Sequence, residues 1–331
     1  MVSTVVLAGA VAGDRPPHHT ATGFQNVPPI ARPPIGAALA FFAGRVAARF
    51  RDPVGAPPLV ANDGATLRAN AGQPSATVTW IGHATLLVQM DGVTFLTDPT
   101  WSDTASPVTW SGPRRFVPPG LAESALPPID FVVISHSHYD HLDLATLQRL
   151  SNGRTRFLVP LRLGELLISA GIGPVEELDW WDSTRVGAVQ VHCVPTQHWS
   201  QRGVFDTDRT LWSAWTVTGP SRRFYFAGDT GYFPGFVEIG RRLGPFDLAA
   251  VPIGAYAPRA MMQTHHMNPE EAVQAGVDVQ GERLIGMHYG TFDLTDEPLD
   301  EPPRRFHAEG ARRGLADDRL WTPAVGETRW W

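Results

Sequence analysis

The chain has 331 residues, 27 basic against 33 acidic side chains, a net charge of −6 and 43% hydrophobic residues, enough for the buried core of one large or two small domains. Every basic residue is arginine, which excludes lysine-nucleophile and Schiff-base chemistry, and no basic run marks a nucleic-acid track. The single cysteine, Cys193 in VQVHCVP, cannot form an internal disulfide and reads as a small buried residue of an alternating strand.

The opening MVSTVVLAGAVAGD has a short apolar run without the charged n-region of a secretory signal, so the sequence predicts a cytoplasmic protein rather than an exported one. No apolar stretch approaches the ~20 residues of a membrane-spanning helix. Residues 1–75 are rich in Pro, Gly and Ala and read as an N-terminal extension packed on or near a main domain at 76–331. Within the extension, GAALAFFAGRVAARF at 36 to 50 predicts a helix, with Leu39, Phe42, Val46 and Phe50 on one face and Arg45 and Arg49 beside them. Such a helix either closes one end of the core or lies against lipid.

From residue 77 short strands take over. TVTWIG comes first, then ATLLVQM and VTFLTDP joined through an Asp91-Gly92 turn as a hairpin. FVVIS (131 to 135), RFLVP (156 to 160), VQVHCVP (189 to 195), LWSAWTV (211 to 217), RFYFAGD (223 to 229), DLAAVPIG (247 to 254) and LIGMH (284 to 288) follow. Helices are predicted near 143 to 150, 161 to 170, 233 to 243 and 269 to 280, the last with Asn268 as N-cap, Pro269 at N1 and Glu271 at N3. Strands with helices interspersed predict an α/β fold, sheets with helices packed outside.

The polar residues concentrate where FVVIS ends. ISHSHYDHLD places His136, His138, Asp140 and His141 within six positions. On extended backbone His136 and His138 point to one side and can grip one metal, and after the chain turns Asp140 and His141 can face a second position. Further donors fall at other strand ends: His198 in PTQHWS, Asp229 in FAGDTGY and His288 in GMHYGTF. Seven N/O ligands with one carboxylate able to bridge form the composition of a two-metal hydrolytic centre. Imidazole-rich ligation without thiolate suits two Zn2+ ions, with manganese or iron as alternatives. His18, His19, His192 and His307 read as structural or surface residues.

HSHYDH resembles the H-x-H-x-D-H signature of the metallo-β-lactamase superfamily, and the resemblance, which covers residues ~77 to 290, implies a four-layer αββα sandwich with its dinuclear site at the edge of the two sheets. WIGHATLLVQ, LTDPTWS, GDTGYFPGFVEIGRRLGPFDLAAVPIGAYAPR, HMNPEEAVQA, HYGTFDLTDEPLDEPP and TGFQNVPP narrow the likeness to the N-acyl-phosphatidylethanolamine-hydrolysing phospholipase D group. That likeness implies His136, His138 and His198 on one zinc, Asp140, His141 and His288 on the other, and Asp229 bridging. It maps a substrate-handling histidine to His266, which directly precedes MNPEE. The short, alanine-rich N-terminus and His265 depart from the animal enzymes.

The chemistry so implied is attack of an activated water on a phosphodiester, giving a phosphomonoester and an alcohol, with Asp140 accepting or relaying a proton and His266 steadying the leaving oxygen. The partner is then a phospholipid or small phosphodiester, with peripheral membrane contact open. A lactonase or other carbonyl hydrolase is the alternative. A redox diiron reading fits less well, because that branch has Glu where this chain has His138, and a non-catalytic scaffold would not need all seven ligands. Asp98 in LTDP is expected to hold a ligating histidine, while His83 in WIGHAT reads equally as such a partner or as core. Arg259 in PIGAYAPR could bind phosphate bidentately beside Tyr256, or lie in a surface salt bridge. The 11 tryptophans read mostly as core or rim residues, some possible in an acyl groove.

Overall fold

The structure, a computed structural model, describes residues 15–31, 36, 41, 43–45, 55–108 and 110–331. Among them 14 strands build two seven-stranded sheets. The first has the order β14 (Thr328–Trp330), β1 (Thr77–Gly82), β2 (Thr85–Met90), β3 (Val93–Thr97), β4 (Phe131–Val133), β5 (Arg156–Pro160), β6 (Val175–Leu178). The second has the order β13 (Leu320–Trp321), β12 (Gly281–Met287), β11 (Phe246–Pro252), β10 (Arg223–Phe226), β9 (Ala214–Thr218), β8 (Val189–Val194), β7 (Ser183–Val186). Each sheet is part antiparallel and part parallel, with β3 to β6 parallel in one and β10 to β13 parallel in the other.

The near-continuous apolar runs follow from burial on both faces. Val78, Trp80, Leu86, Val88, Phe95, Phe131 and Val133 point between the sheets, where they meet Trp215, Phe224 and Phe226. Their alternates Ile81, Leu87, Leu96 and Val132 point outward onto Leu147 and Leu167 of the covering helices and onto Leu163, which precedes the second of them. The period of two thus sorts one sequence into two cores. Phe95 stacks on Phe131 with centroids 4.6 Å apart, and burial of each such ring stabilises by roughly 1.5–3 kcal/mol. On the far side Phe236, Ile239, Val273 and Phe306 cover the second sheet from the helices Gly235–Leu243, Pro269–Asp278 and Glu301–Arg312. The result is the αββα sandwich expected.

The hairpin closes through Asp91 and Gly92, φ 49° and 82°, with Met90 paired to Val93, as a two-residue primed turn requires. The four predicted helices appear as Leu144–Leu150, Gly164–Ser169, Gly235–Leu243 and Pro269–Asp278. Asn268 and Glu271 form the full reciprocal capping box. Glu301–Arg312 was not predicted, since EPPRRFHAEGAR is polar and buries few side chains, Phe306 among them. The polar edge strands β6 (VEEL) and β7 (STRV) were missed for the same reason.

The predicted helix at 36 to 50 lies largely outside the described residues. Of the rest of the extension, Phe24 joins the larger core cluster and Leu67 the outer one, while Asn62 donates to the Gly326 carbonyl at 2.7 Å. The stretch from 76 to 331 begins and ends in one sheet, Thr77 pairing with Trp330.

Candidate metal centre

Six connections deliver the donors to one edge of the sandwich. The turn between β1 and β2 carries His83, and the loops beyond β3 and β4 carry Asp98 and then His136 to His141. From the second sheet the segments beyond β8, β10 and β12 carry His198, Asp229 and His288. The run at 136 to 141 divides as its spacing predicts. His136 Nε2 faces His138 Nδ1 at 2.7 Å, and the chain then tightens, with His141 N and Leu142 N both donating to the His138 carbonyl at 3.1 and 2.8 Å.

Two donor groups result. His138 Nδ1 lies 3.3 Å from His198 Nε2, so His136, His138 and His198 converge. Asp140 Oδ2 lies 3.4 Å from His141 Nε2 and 3.5 Å from His288 Nε2, and those two ring nitrogens are 3.1 Å apart. Asp229 faces both groups. Its Oδ2 is 3.0 Å from His141, 3.8 Å from His198 and 4.0 Å from His136, and its Oδ1 is 2.9 Å from His288. Gly228 permits this placement: at φ 58°, a Cβ there would come within 2.7 Å of Ser135 Cβ and 3.0 Å of the Ser213 carbonyl.

The hydrogen bonds around the rings select their tautomers. His141 Nδ1 donates to Asp98 Oδ2 at 2.6 Å. Asp98 also accepts from Ser135 N and Ser135 Oγ, each at 2.6 Å. With its proton given to Asp98, Ser135 Oγ accepts from His136 Nδ1 at 2.8 Å, and His198 Nδ1 donates to the His265 carbonyl at 3.0 Å. All three rings therefore turn Nε2 inward, and in the neutral form its lone pair faces the centre. Asp98 is the histidine partner the sequence predicted, whereas Ser135 and the His265 carbonyl were not foreseen; only Ser135's place directly before His136 could have signalled it.

Charge is tuned to match. Burial pushes His136 and His198 well below the ordinary histidine range, and His138 to about 4, His83 to about 3 and His266 to about 3. Neutral imidazole is the form that binds metal. Burial also disfavours charge on His141 and His288, but the Asp229 and Asp140 carboxylates prevail, raising His141 well above its ordinary value and His288 to about 9. The same pairs hold Asp140 and Asp229 well below the usual carboxylate range against the cost of their burial. A proton on either ring answers only part of what these carboxylates face.

These residues fit a metal. Ring nitrogens converge in each group at 2.7–3.3 Å, close to the roughly 3.3 Å that separates the donors of one tetrahedral zinc. Each of the two donor groups is compact enough to hold an ion.

His83 belongs to the centre rather than to the core alone. Its Nε2 donates to Asp140 Oδ2 at 3.0 Å and its ring sits 4.0 Å from that of His288. His83, Asp98 and His288 all adopt left-handed backbone, φ 54°, 37° and 63°, a strain of about 1–3 kcal/mol each that surrounding bonds must hold. His83 is held by its N–H donating to Thr291 Oγ1 at 2.7 Å and its carbonyl accepting from His288 N at 3.0 Å.

His266, as expected, faces the centre, with Nδ1 3.9 Å from Asp229 Oδ2 and no hydrogen bond of its own. Tyr256 and Arg259 do not serve as proposed from the sequence. The Arg259 guanidinium is committed to both Glu271 oxygens at 2.8 Å and to the His266 carbonyl at 2.9 Å, so the salt-bridge alternative holds and no fork is left for phosphate. Tyr256 is buried, donating to Glu301 Oε1 at 2.6 Å beneath Arg305. Beside the centre a cavity of about 490 Å³ is lined by His83, His288, Phe116, Phe292, Leu294 and Leu299 among others. Of the tryptophans, Trp80, Trp212 and Trp215 are core, and Trp199 packs against His138 at 4.5 Å.

Comparison with known proteins places the chain in a family. A model of the β-lactamase superfamily domain matches residues 94–289. The chain is 43% identical over 263 residues to N-acyl-phosphatidylethanolamine-hydrolyzing phospholipase D 1 of Caenorhabditis elegans, covering 75% of this chain and 74% of that protein. It is 33% identical over 258 residues to the mitochondrial N-acyl-phosphatidylethanolamine-hydrolyzing phospholipase D of Saccharomyces cerevisiae, covering 76% of this chain and 55% of that protein. In fold alone it is similar to a metallo hydrolase from the archaeon Ignicoccus hospitalis, with TM-score 0.59 and 21% identity over 78% of this chain and 98% of the other. The chain therefore belongs to the β-lactamase superfamily of metal-dependent hydrolases, and within it stands with the N-acyl-phosphatidylethanolamine-hydrolyzing phospholipase D sequences.

Proposed function

We propose that the protein is a dinuclear zinc hydrolase that cleaves a phosphodiester in phospholipase D fashion, acting on N-acyl-phosphatidylethanolamine or a related phospholipid. The observation that carries this reading is Asp229, one carboxylate facing both donor groups at 2.9–4.0 Å. His136, His138 and His198 would hold one ion, Asp140, His141 and His288 the other, with Asp229 between them. Two such ions supply hydroxide at neutral pH and neutralise charge on the phosphoryl oxygens.

The protein's own residues orient the rest. The water oxygen bonds to phosphorus, the bond from phosphorus to the alcohol oxygen breaks, and that oxygen takes a proton. Asp140, ionised and steadied by His83, is suited to accept a hydrogen bond from the water and relay the proton it gives up. His266 is held neutral by burial and its free Nδ1 is suited to hydrogen-bond the departing oxygen. The cavity of about 490 Å³ beside His83 and His288 falls within the size range of ligand pockets, roughly 300–1,000 Å³, and its lining pairs Phe116, Phe292, Leu294 and Leu299 with Arg45, Asp293 and Asp296, apolar and charged surfaces that an amphipathic substrate would meet together. Such a substrate would be met from the membrane surface; among the described residues no helix is long and apolar enough to cross a membrane.

Product analysis on N-acyl-phosphatidylethanolamine, alongside a chromogenic phosphodiester and a lactone panel, tests the proposal. Release of an N-acylethanolamine and a phosphatidic acid is expected; lactone hydrolysis with no phosphodiesterase activity would sink it in favour of a lactonase. Asp229→Asn should lower turnover by more than the roughly 100-fold that partners of metal ligands command, in a protein that remains folded. Wild-type rates in that variant refute the dinuclear mechanism.

A further inference from the structure

Residues 16–26 form a strap that ends on the metal centre. Its outer end is clipped by Asp179, whose two carboxylate oxygens each lie 2.7 Å from one ring nitrogen, His18 Nε2 and His19 Nε2; the His18 ring also stacks on Trp180 at 4.3 Å. Its middle approaches the 200–210 loop too closely for a side chain. A Cβ on Gly23 would come within 2.0 Å of the Asp208 carbonyl, the same carbonyl that accepts from Phe24 N at 2.8 Å.

The inner end is Asn26, whose buried carboxamide meets both main-chain groups of His198. Asn26 Nδ2 donates to the His198 carbonyl at 2.7 Å and Asn26 Oδ1 accepts from His198 N at 3.1 Å. Trp212 Nε1 donates to the same Oδ1 at 3.2 Å, which fixes the orientation of the amide. His198 lies past the end of β8, in a segment without regular structure. Its peptide groups have no sheet ladder, and buried peptide groups need partners. The Asn26 amide supplies both, as one residue of a neighbouring strand would. The His198 ring is held separately, through Nδ1 on the His265 carbonyl. Ring and main chain are thus fixed from two different parts of the chain.

We infer that Asn26 is a positioning residue of the metal centre, and that the N-terminal strap carrying it is a working part of the site rather than an appendage. This rests on the reading of His136, His138 and His198 as metal ligands, but not on the identity of the substrate. Asn26 touches no reacting atom. It sets where His198 Nε2 stands relative to His136 and His138, and a ligand set held loosely binds its metal less tightly.

The test uses the full chain and reads metal binding rather than turnover. Zn2+ affinity is measured by competition with a chromogenic chelator for wild type and Asn26→Ala, together with the melting temperature of each metal-free protein. A Zn2+ affinity weakened about 10–100-fold in a folded N26A protein is expected, the size usual for loss of a ligand's supporting bond. Wild-type affinity with only a lower metal-free melting temperature makes Asn26 merely structural and overturns the inference. A wild-type chain that takes up no Zn2+ overturns the metal reading itself, and the inference with it. Should N26A not fold, His19→Ala decides, since it loosens the strap from its part-exposed clip and gives up an edge contact with Phe24. Weakened Zn2+ affinity is expected there as well, and wild-type affinity overturns the inference.

Discussion

Asp98 shows how much of the centre depends on a residue that binds no metal. It is fully buried, which pushes its carboxyl upward, and the donors Ser135 N, Ser135 Oγ and His141 Nδ1 work against that shift. An amide at this position would have one oxygen left to accept and an NH2 group of its own. Facing His141 Nδ1–H with a donor, it would break the bond or drive the proton to Nε2, where the lone pair is needed. Asp98→Asn should therefore weaken metal affinity about 10–100-fold in a chain that still folds. Metal titration checks this, and an affinity equal to wild type would show that the His141 ring is oriented by something else. The seven proposed ligands were legible because five are histidines, of which the chain has 12, and all seven fall just after apolar runs. Arg259 was not: nothing in PIGAYAPR reveals that Glu271, twelve positions on, takes its guanidinium.

At the scale of elements, the sequence was clearest where one residue has a local task. Asn268, Pro269 and Glu271 announce a helix start, and the capping box forms as read. Glu271 does more than the sequence could say, because its carboxylate also anchors Arg259, which donates to the His266 carbonyl. The cap therefore stiffens the segment that delivers His266. Asn268→Ala removes the acceptor for Glu271 N, 2.8 Å away, and should destabilise the fold by about 1 kcal/mol, within the roughly 0.5–2 kcal/mol usual for such caps. Urea unfolding measures it as a lower midpoint at constant slope; an unchanged midpoint would mean the helix draws its stability from Ala272, Val273 and Ala275 in the core alone. Elements lacking such local signals were the ones missed. The edge strand STRV pairs on one side only, with β8, and its fit is decided by that neighbour rather than by its own pattern.

Across the whole molecule the donors are shared between the sheets. His83, Asp98 and the 136 to 141 run come from the first, and His198, Asp229 and His288 from the second. Ions bound by both groups would join layers that otherwise meet through apolar packing. Without a cation, the buried Asp140 and Asp229 carboxylates face the protons that His141 and His288 can hold and, at Asp140, the His83 N–H. Metal that binds the folded state and not the unfolded chain stabilises by RT ln(1 + [metal]/Kd), about 2.7 kcal/mol at one hundred times Kd. For a protein of this size that raises the melting temperature by several degrees. Dialysis against a chelator should lower the melting temperature by that amount, and added Zn2+ should restore it where Mg2+ does not, since Mg2+ prefers oxygen ligands. Asp229→Asn should show a smaller Zn2+ increment than wild type, because it weakens a side chain that faces both groups. If chelated and Zn2+-loaded wild type melt at the same temperature, metal does not couple the two sheets, and the centre must be pre-formed by packing and the Asp98, Ser135 and Asn26 bonds alone.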